Sequence, residues 1–149
     1  MTSISFQTKT FQNLSNDELY AILQLRSEVF VVEQNCVFQD MDYKDQIAWH
    51  VIGSYDGKIV AYTRLFKPND YYNFASIGRV VINPNYRDRK WGNDLMQYSI
   101  LEIEKQFGVK QITIGAQLYL KKFYENNGFV QTSAVYLEDD IEHIEMKII

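Results

Sequence analysis

The chain has 149 residues, a formal net charge of −4 and one cysteine, Cys36. This length suits one domain with a real core, which at such a size buries about 70% of the unfolded surface. The acidic balance argues against nucleic acid as a partner, which needs a broad basic face, and a lone cysteine excludes an internal disulfide and fits a reducing, cytoplasmic setting.

No apolar stretch approaches the ~18 residues of a membrane helix, so no membrane partner is expected. Met1 to Phe6 lacks the basic-then-apolar pattern of a secretory leader. Aromatics are plentiful, with 11 Tyr, 9 Phe and 2 Trp, as suits half-buried strands and a cleft wall with polar tips.

In chain order, Ser3 to Lys9 alternates and predicts a strand. Ser15-Asn16-Asp17-Glu18 is a capping box, and Leu19, Ile22, Leu23, Arg26 and Phe30 recur at helical spacing, so a first helix runs to about Val31. Glu33 to Asp45 is polar and irregular, with room for a short helix. Ala48 to Tyr55 and Lys58 to Phe66 read as strands joined by Asp56-Gly57, the pair that a type I′ turn needs. After the Lys67 to Asp70 loop, Ala75 to Ile82 is the next strand.

Trp91, Leu95, Met96, Ile100, Ile103 and Phe107 mark a second amphipathic helix closed by Gly108. Val109 to Ala116 is a short buried strand, and Leu118 to Asn126 a third helix stopped by Asn127-Gly128. Phe129 to Leu137 and His143 to Ile149 form a final antiparallel pair around the acidic loop Glu138-Asp139-Asp140. The order predicts an α/β (α+β) domain, one central mixed sheet flanked by helices.

The most informative segment lies between strand Ala75–Ile82 and the second helix: Asn83-Pro84-Asn85-Tyr86-Arg87-Asp88-Arg89-Lys90-Trp91-Gly92-Asn93. A turn into a helix offers unpaired N–H groups and the positive end of a helix dipole, a site for a diphosphate. Arg87, Arg89 and Lys90 add charge there, while Asp88 must point away from an anion.

This segment resembles the acyl-CoA loop of the GNAT acetyltransferase superfamily, Gln/Arg-x-x-Gly-x-Gly/Ala, with Arg87 first, Gly92 last and Lys90 where the middle glycine is usual. Phe123-Tyr124-Glu125-Asn126-Asn127-Gly128-Phe129 resembles the Phe-Tyr-x-x-x-Gly-Phe signature of the same fold. Leu25 to Gln34, with Tyr136 to Asp139 and His143 to Met146, is similar to the ElaA-like branch. The four segments lie in order and span nearly the whole chain, so residues 1–149 read as a single GNAT-like domain with a splayed, mostly antiparallel sheet.

The resemblance implies an acetyl-CoA-dependent N-acetyltransferase acting on a primary amine by direct attack. It puts the diphosphate on the turn of Arg87, Asp88, Arg89, Lys90, Trp91, Gly92 and Asn93, and the pantetheine arm along Val80, Val81 and Ile82. A glycine at position 90 would allow positive φ or close backbone approach; Lys90 is tolerated if its backbone is already helical. Tyr124 is implied as the proton donor to the departing sulfur.

The general base is open between Glu33, His143 and a water chain. Arg26 is a candidate to anchor a carboxylate or pair with Glu33, and a structural ion pair is an equal reading. Asp40, Asp42 and Asp45, with Glu138 to Asp140, read as a solvated acidic surface or an entrance that draws a cationic amine. They lack the glycine and terminal Glu of a calcium loop, so no metal is expected. Cys36 and His50 read as structural. No P-loop, nucleophile elbow or dinucleotide fingerprint is present.

Rival readings are a non-catalytic acyl-CoA-binding module, which Lys90 motivates, and an interaction domain that kept only the fold. Small amine, peptide N-terminus, lysine side chain and polyamine all stay open as acceptors. A homodimer through the Tyr- and Ile-rich C-terminal strands is a further expectation.

Overall fold

A computed structural model describes residues 3–149; Met1 and Thr2, where the leader reading begins, lie outside the described residues. The strands are β1 (Ser5–Thr10), β2 (Trp49–Tyr55), β3 (Lys58–Phe66), β4 (Ala75–Ile82), β5 (Ile112–Gln117), β6 (Val130–Gln131), β7 (Tyr136–Glu138) and β8 (Ile141–Ile148). The helices are α1 (Asn16–Arg26), α2 (Gly92–Phe107) and α3 (Lys121–Glu125).

One sheet runs in the order β1-β2-β3-β4-β5-β8-β6, with β7 also on β8. Every described pairing is antiparallel except β4 with β5. The fold is the mixed, mostly antiparallel sheet with flanking helices that the element order predicts.

Local chemistry sets several boundaries. Ser15 accepts from the Glu18 N–H at 3.0 Å while the Glu18 carboxylate accepts from the Ser15 N–H at 2.8 Å, closing the capping box. Asp56 and Gly57 take φ of +52° and +75° and turn β2 into β3. Gly108 ends α2 in the left-handed region.

The third helix is shorter than its pattern predicts. Leu118–Leu120 is a 3-10 turn, and only Lys121–Glu125 is α-helical. The buried strand begins at Ile112 rather than Val109. The expected C-terminal pair is three strands, because β6 and β7 share one edge of β8 around the Thr132 to Val135 bend.

The first helix also differs. α-helical bonding ends at Arg26, and the chain continues as a π-helix over Ser27–Glu33. Its wider turns include i→i+5 bonds such as Gln34 N–H to Val29 O at 3.1 Å.

The core lies on both faces of the sheet. On one face α2 buries Leu95, Met96 and Ile103 against Val51, Leu65, Ile77, Ile114 and Met146. Each such side chain contributes about 1.5–3 kcal/mol by leaving water, and Leu95→Ala would cost about 2–5 kcal/mol. Ser99 sits in that apolar stripe because its hydroxyl donates to Leu95 O at 2.8 Å and accepts from Thr63 at 2.7 Å. On the other face α1 packs Ile22 and Leu25, and the π-helix packs Val29, over Ile52, Tyr62 and Val81. No described helix is long and apolar enough to cross a membrane.

Candidate active site

The two middle strands part company. β4 and β5 pair only at Ala75–Ile112 and Ser76–Thr113, then diverge. The gap is a cleft of about 620 Å³, walled by Gly78 to Ile82 on one side and Gly115 and Gln117 on the other. From Ile77 onward β5 does not cover the edge of β4, so a peptide-like chain has backbone groups there to pair with. Val80, Val81 and Ile82 lie along this wall.

A bulge shapes it. The β3–β4 register passes from Tyr62–Val81 to Arg64–Gly78, so Arg79 and Val80 stand opposite Thr63 alone. Arg79 takes φ of +51°, a conformation that costs a non-glycine residue free energy. Its side chain is clamped in compensation: Nε donates to Asp40 Oδ1 at 2.7 Å and Nη2 to the Asp40 carbonyl at 2.9 Å.

At one end of the cleft, Pro84–Arg89 forms a 3-10 turn that feeds α2. No side chain caps α2, and its first internal bond runs from Leu95 N–H to Trp91 O, so the N–H groups of Gly92, Asn93 and Asp94 have no helical partner. Arg87 and Gly92 line the cleft. Arg89 does not; its guanidinium lies over the rings of Tyr55, Tyr86 and Trp91, at 4.9, 5.6 and 5.6 Å.

Lys90 is exposed with φ +61° and ψ +34°. The condition under which a side chain is tolerated there, a backbone already helical in the right-handed sense, is not met. Position 90 has the left-handed geometry of a glycine.

At the inner end, Tyr124 sits in the cleft wall, 6% exposed. Burial, with a smaller contribution from Tyr119, pushes its phenol well above the usual tyrosine value, so it is protonated at neutral pH. Gly128 follows with φ +97° and lets Phe129 N–H return to Tyr124 O at 3.1 Å. The Asn127 amide ties this turn to the start of α2, donating to Asn93 Oδ1 and Phe123 O and accepting from Gln97.

The two candidate bases differ. His143 lines the cleft, and its Nδ1–H donates to Ile141 O at 2.7 Å, which leaves Nε2 as the basic nitrogen. Glu33 also lines it, but both carboxylate oxygens accept from Arg87, at 2.6 and 2.7 Å. Those bonds, outweighing a small opposing effect of burial, hold Glu33 below the usual carboxylate range and make it a weak base.

Three aspartates depart from the surface reading. Asp40, Asp42 and Asp45 are neither a solvated loop nor an amine-drawing entrance; they form an ion network with Arg26, Arg64 and Arg79. Arg26 reaches Asp40 at 3.0 Å and Asp45 at 2.8 Å, and Arg64 reaches Asp42 and Asp45 at 2.9 Å each. Arg26, fully buried, therefore neither faces a substrate nor pairs with Glu33.

Charge balance explains why these groups tolerate burial: three cations meet three anions with charge-assisted hydrogen bonds. His50 closes the network as a neutral ring, donating from Nε2 to Asp45 O at 2.9 Å and accepting from Tyr62 at 2.6 Å. Cys36 is buried, and its thiol donates to Asp139 O at 3.5 Å. It fastens the loop after the π-helix to the β7–β8 turn.

Sequence reasoning missed the Arg79 clamp and the reciprocal amide pair Gln34–Gln117, which crosses the cleft at 3.3 and 3.5 Å. The residues of each contact lie far apart in the chain, and no local pattern signals them.

Comparison with known proteins finds that residues 10–149 match the model of an acetyltransferase (GNAT) domain. The chain is 39% identical over 145 residues to the protein ElaA of Escherichia coli, covering 96% of this chain and 95% of that one. A UPF0039 protein of Schizosaccharomyces pombe is 36% identical, covering 99% of each. Among solved structures, an acyl-CoA N-acyltransferase from Pseudomonas aeruginosa superposes with a TM-score of 0.92 at 39% identity, over 97% of this chain and 99% of that one. Escherichia coli ElaA superposes at 0.90 with 38% identity over the same shares.

Proposed function

Because the chain belongs to the GNAT acetyltransferase family, we propose that it transfers an acetyl group from acetyl-CoA to a primary amine by direct attack. The supporting observation is one cleft lined both by a phosphate-type helix start and by a protonated tyrosine.

Arg87 and the free N–H groups of Gly92 to Asp94 hold the diphosphate, with Arg89 turned onto the rings of Tyr55, Tyr86 and Trp91. The open edge at Val80, Val81 and Ile82 takes the amides of the pantetheine arm. Acetyl-CoA brings the activated thioester. His143 Nε2 takes a proton from the bound ammonium, and the freed nitrogen attacks the thioester carbonyl carbon. As the carbon–sulfur bond breaks, Tyr124 gives its proton to the sulfur and regains one from the nitrogen. Glu33, already bonded to Arg87, is the poorer base.

Calorimetric titration with acetyl-CoA tests the cleft, with one ligand per chain expected. Tyr124→Phe should lower kcat by about a hundredfold or more, the usual scale for loss of a general acid, with the acetyl-CoA Kd within twofold. Equal turnover in both proteins removes Tyr124 as the acid.

A second reading, a non-catalytic acyl-CoA-binding module, draws on the Glu33–Arg87 pair, which neutralises a charge that the diphosphate needs. Saturable binding without CoA release across an amine screen favours that reading.

A further inference from the structure

Nothing in the observed backbone requires a glycine at Gly78. Its φ is not left-handed, and a Cβ added to it would meet nothing within 4 Å. The residue that needs a glycine's freedom is the next one, Arg79, at φ +51°. Turning the peptide between them relieves Arg79. The φ of residue 79 and the ψ of residue 78 then change together, and glycine is the residue that accepts the new ψ. The backbone therefore has two forms here, and the form observed is the one that costs residue 79.

Side chains hold it there. Asp40 Oδ1 and the Asp40 carbonyl accept from Arg79 at 2.7 and 2.9 Å. Asp42 Oδ2 lies 3.5 Å from Arg79 Nη2, and the guanidinium stands 5.8 Å from the centre of the Phe38 ring. All three residues belong to the loop after the π-helix. Asp40 is itself anchored, because its other oxygen accepts from the buried Arg26 at 3.0 Å. One carboxylate thus joins the end of α1 to the bulge.

The bulge sets the phase of the strand beyond it. Ile77, Val80 and Ile82 pack with the α2 core, and Val81 with the α1 core. From Ile77 to Val80 is a step of three residues where a regular strand alternates by two. That extra residue decides which backbone groups of Val80 to Ile82 face the edge that β5 leaves uncovered. We propose that Arg79, held by Asp40, is a positioning residue: the clamp locks the Gly78–Arg79 peptide in one of two orientations, the one that presents the β4 edge to the pantetheine arm. The inference rests on the proposed cofactor site for what the edge binds, but not for the lock.

The test compares Arg79→Ala with Arg79→Gly in the full chain. Both lose the guanidinium, and both should fold, because Asp40 keeps Arg26 and Asp42 keeps Arg64. Only alanine keeps the Cβ that makes a positive φ costly. Arg79→Ala should turn the peptide and weaken acetyl-CoA binding about tenfold in calorimetry, the population shift that relief of one left-handed residue gives. Arg79→Gly should bind within about threefold of the parent, because glycine favours neither form. Backbone NMR shifts of residues 78 to 80 in the ligand-free protein should move in Arg79→Ala to those of an extended residue 79. Equal weakening in both variants would mean that the guanidinium itself serves the cofactor, and overturns the lock. Unchanged binding in Arg79→Ala, or a left-handed backbone kept there, overturns it too. If the parent does not bind acetyl-CoA, the proposed function falls, and the shifts alone confirm or overturn the lock.

Discussion

Replacing Lys90 by glycine should make the protein more stable, although it deletes a side chain from a folded structure. The backbone at Lys90 has φ +61° and ψ +34°. An L-residue in that conformation carries a cost of about 1–2 kcal/mol, from the Cβ approaching the following carbonyl. Glycine removes that cost but adds unfolded-state freedom worth about 0.4–1 kcal/mol. The net gain is on the order of 0.5–1 kcal/mol, which for a chain of this size raises Tm by about 1–4 °C.

Scanning calorimetry of the ligand-free protein measures it. Lys90→Ala separates charge from backbone, since it removes the ammonium and keeps the Cβ. Lys90→Asn keeps a residue that tolerates the left-handed region. The expected order is Gly and Asn above the parent, with Ala level or below. An alanine variant as stable as the glycine one would refute the backbone argument, because the gain would then come from losing charge.

Asp45→Asn should cost about 3 kcal/mol in urea unfolding, because Asp45 Oδ1 serves two buried arginines at once; a loss under about 1 kcal/mol contradicts the network's account. Burial alone would raise the Asp42 carboxyl, but the hydrogen bonds and charge of Arg64 outweigh it and hold it at about 2. Its unfolded value is near 4, so the stability it confers is complete above about pH 4 and is lost as pH falls toward 2. The urea midpoint should drop across that window, and less so in Asp42→Asn; identical pH profiles would sink the assignment. Glu33→Gln should release Arg87 and tighten acetyl-CoA binding severalfold in calorimetry at low salt, with the gain fading at high salt as for any exposed pair; weaker binding would mean that Glu33 orients Arg87 rather than competing for it.

What the sequence disclosed divides along a physical line. The Ser15–Glu18 box, the Asp56-Gly57 turn and the Gly108 stop depend on bonds and dihedrals within a few residues, and the structure carries each of them. The Arg26–Asp40–Asp45 network and the Gln34–Gln117 pair join residues brought together only by the whole sheet. Acidic residues in a polar stretch look solvated until their arginines are located. The bulge falls beside Gly78 rather than on it: the residue in the left-handed region is Arg79, and a clamp on its side chain stabilises what its backbone resists. The π-helix escaped notice because its residues keep an apolar face that suits either winding.

One carboxamide, that of Asn127, touches the start of α2 and the end of α3 together. The start of α2 and the Tyr124 turn thus form a single hydrogen-bonded jaw. The opposing jaw, the π-helical end carrying Glu33 and Gln34, reaches across the cleft by side-chain hydrogen bonds to Arg87 and to Gln117. On the proposed function, the span from diphosphate to sulfur is therefore set within one jaw by a single carboxamide, while Glu33 and Gln34 belong to the other.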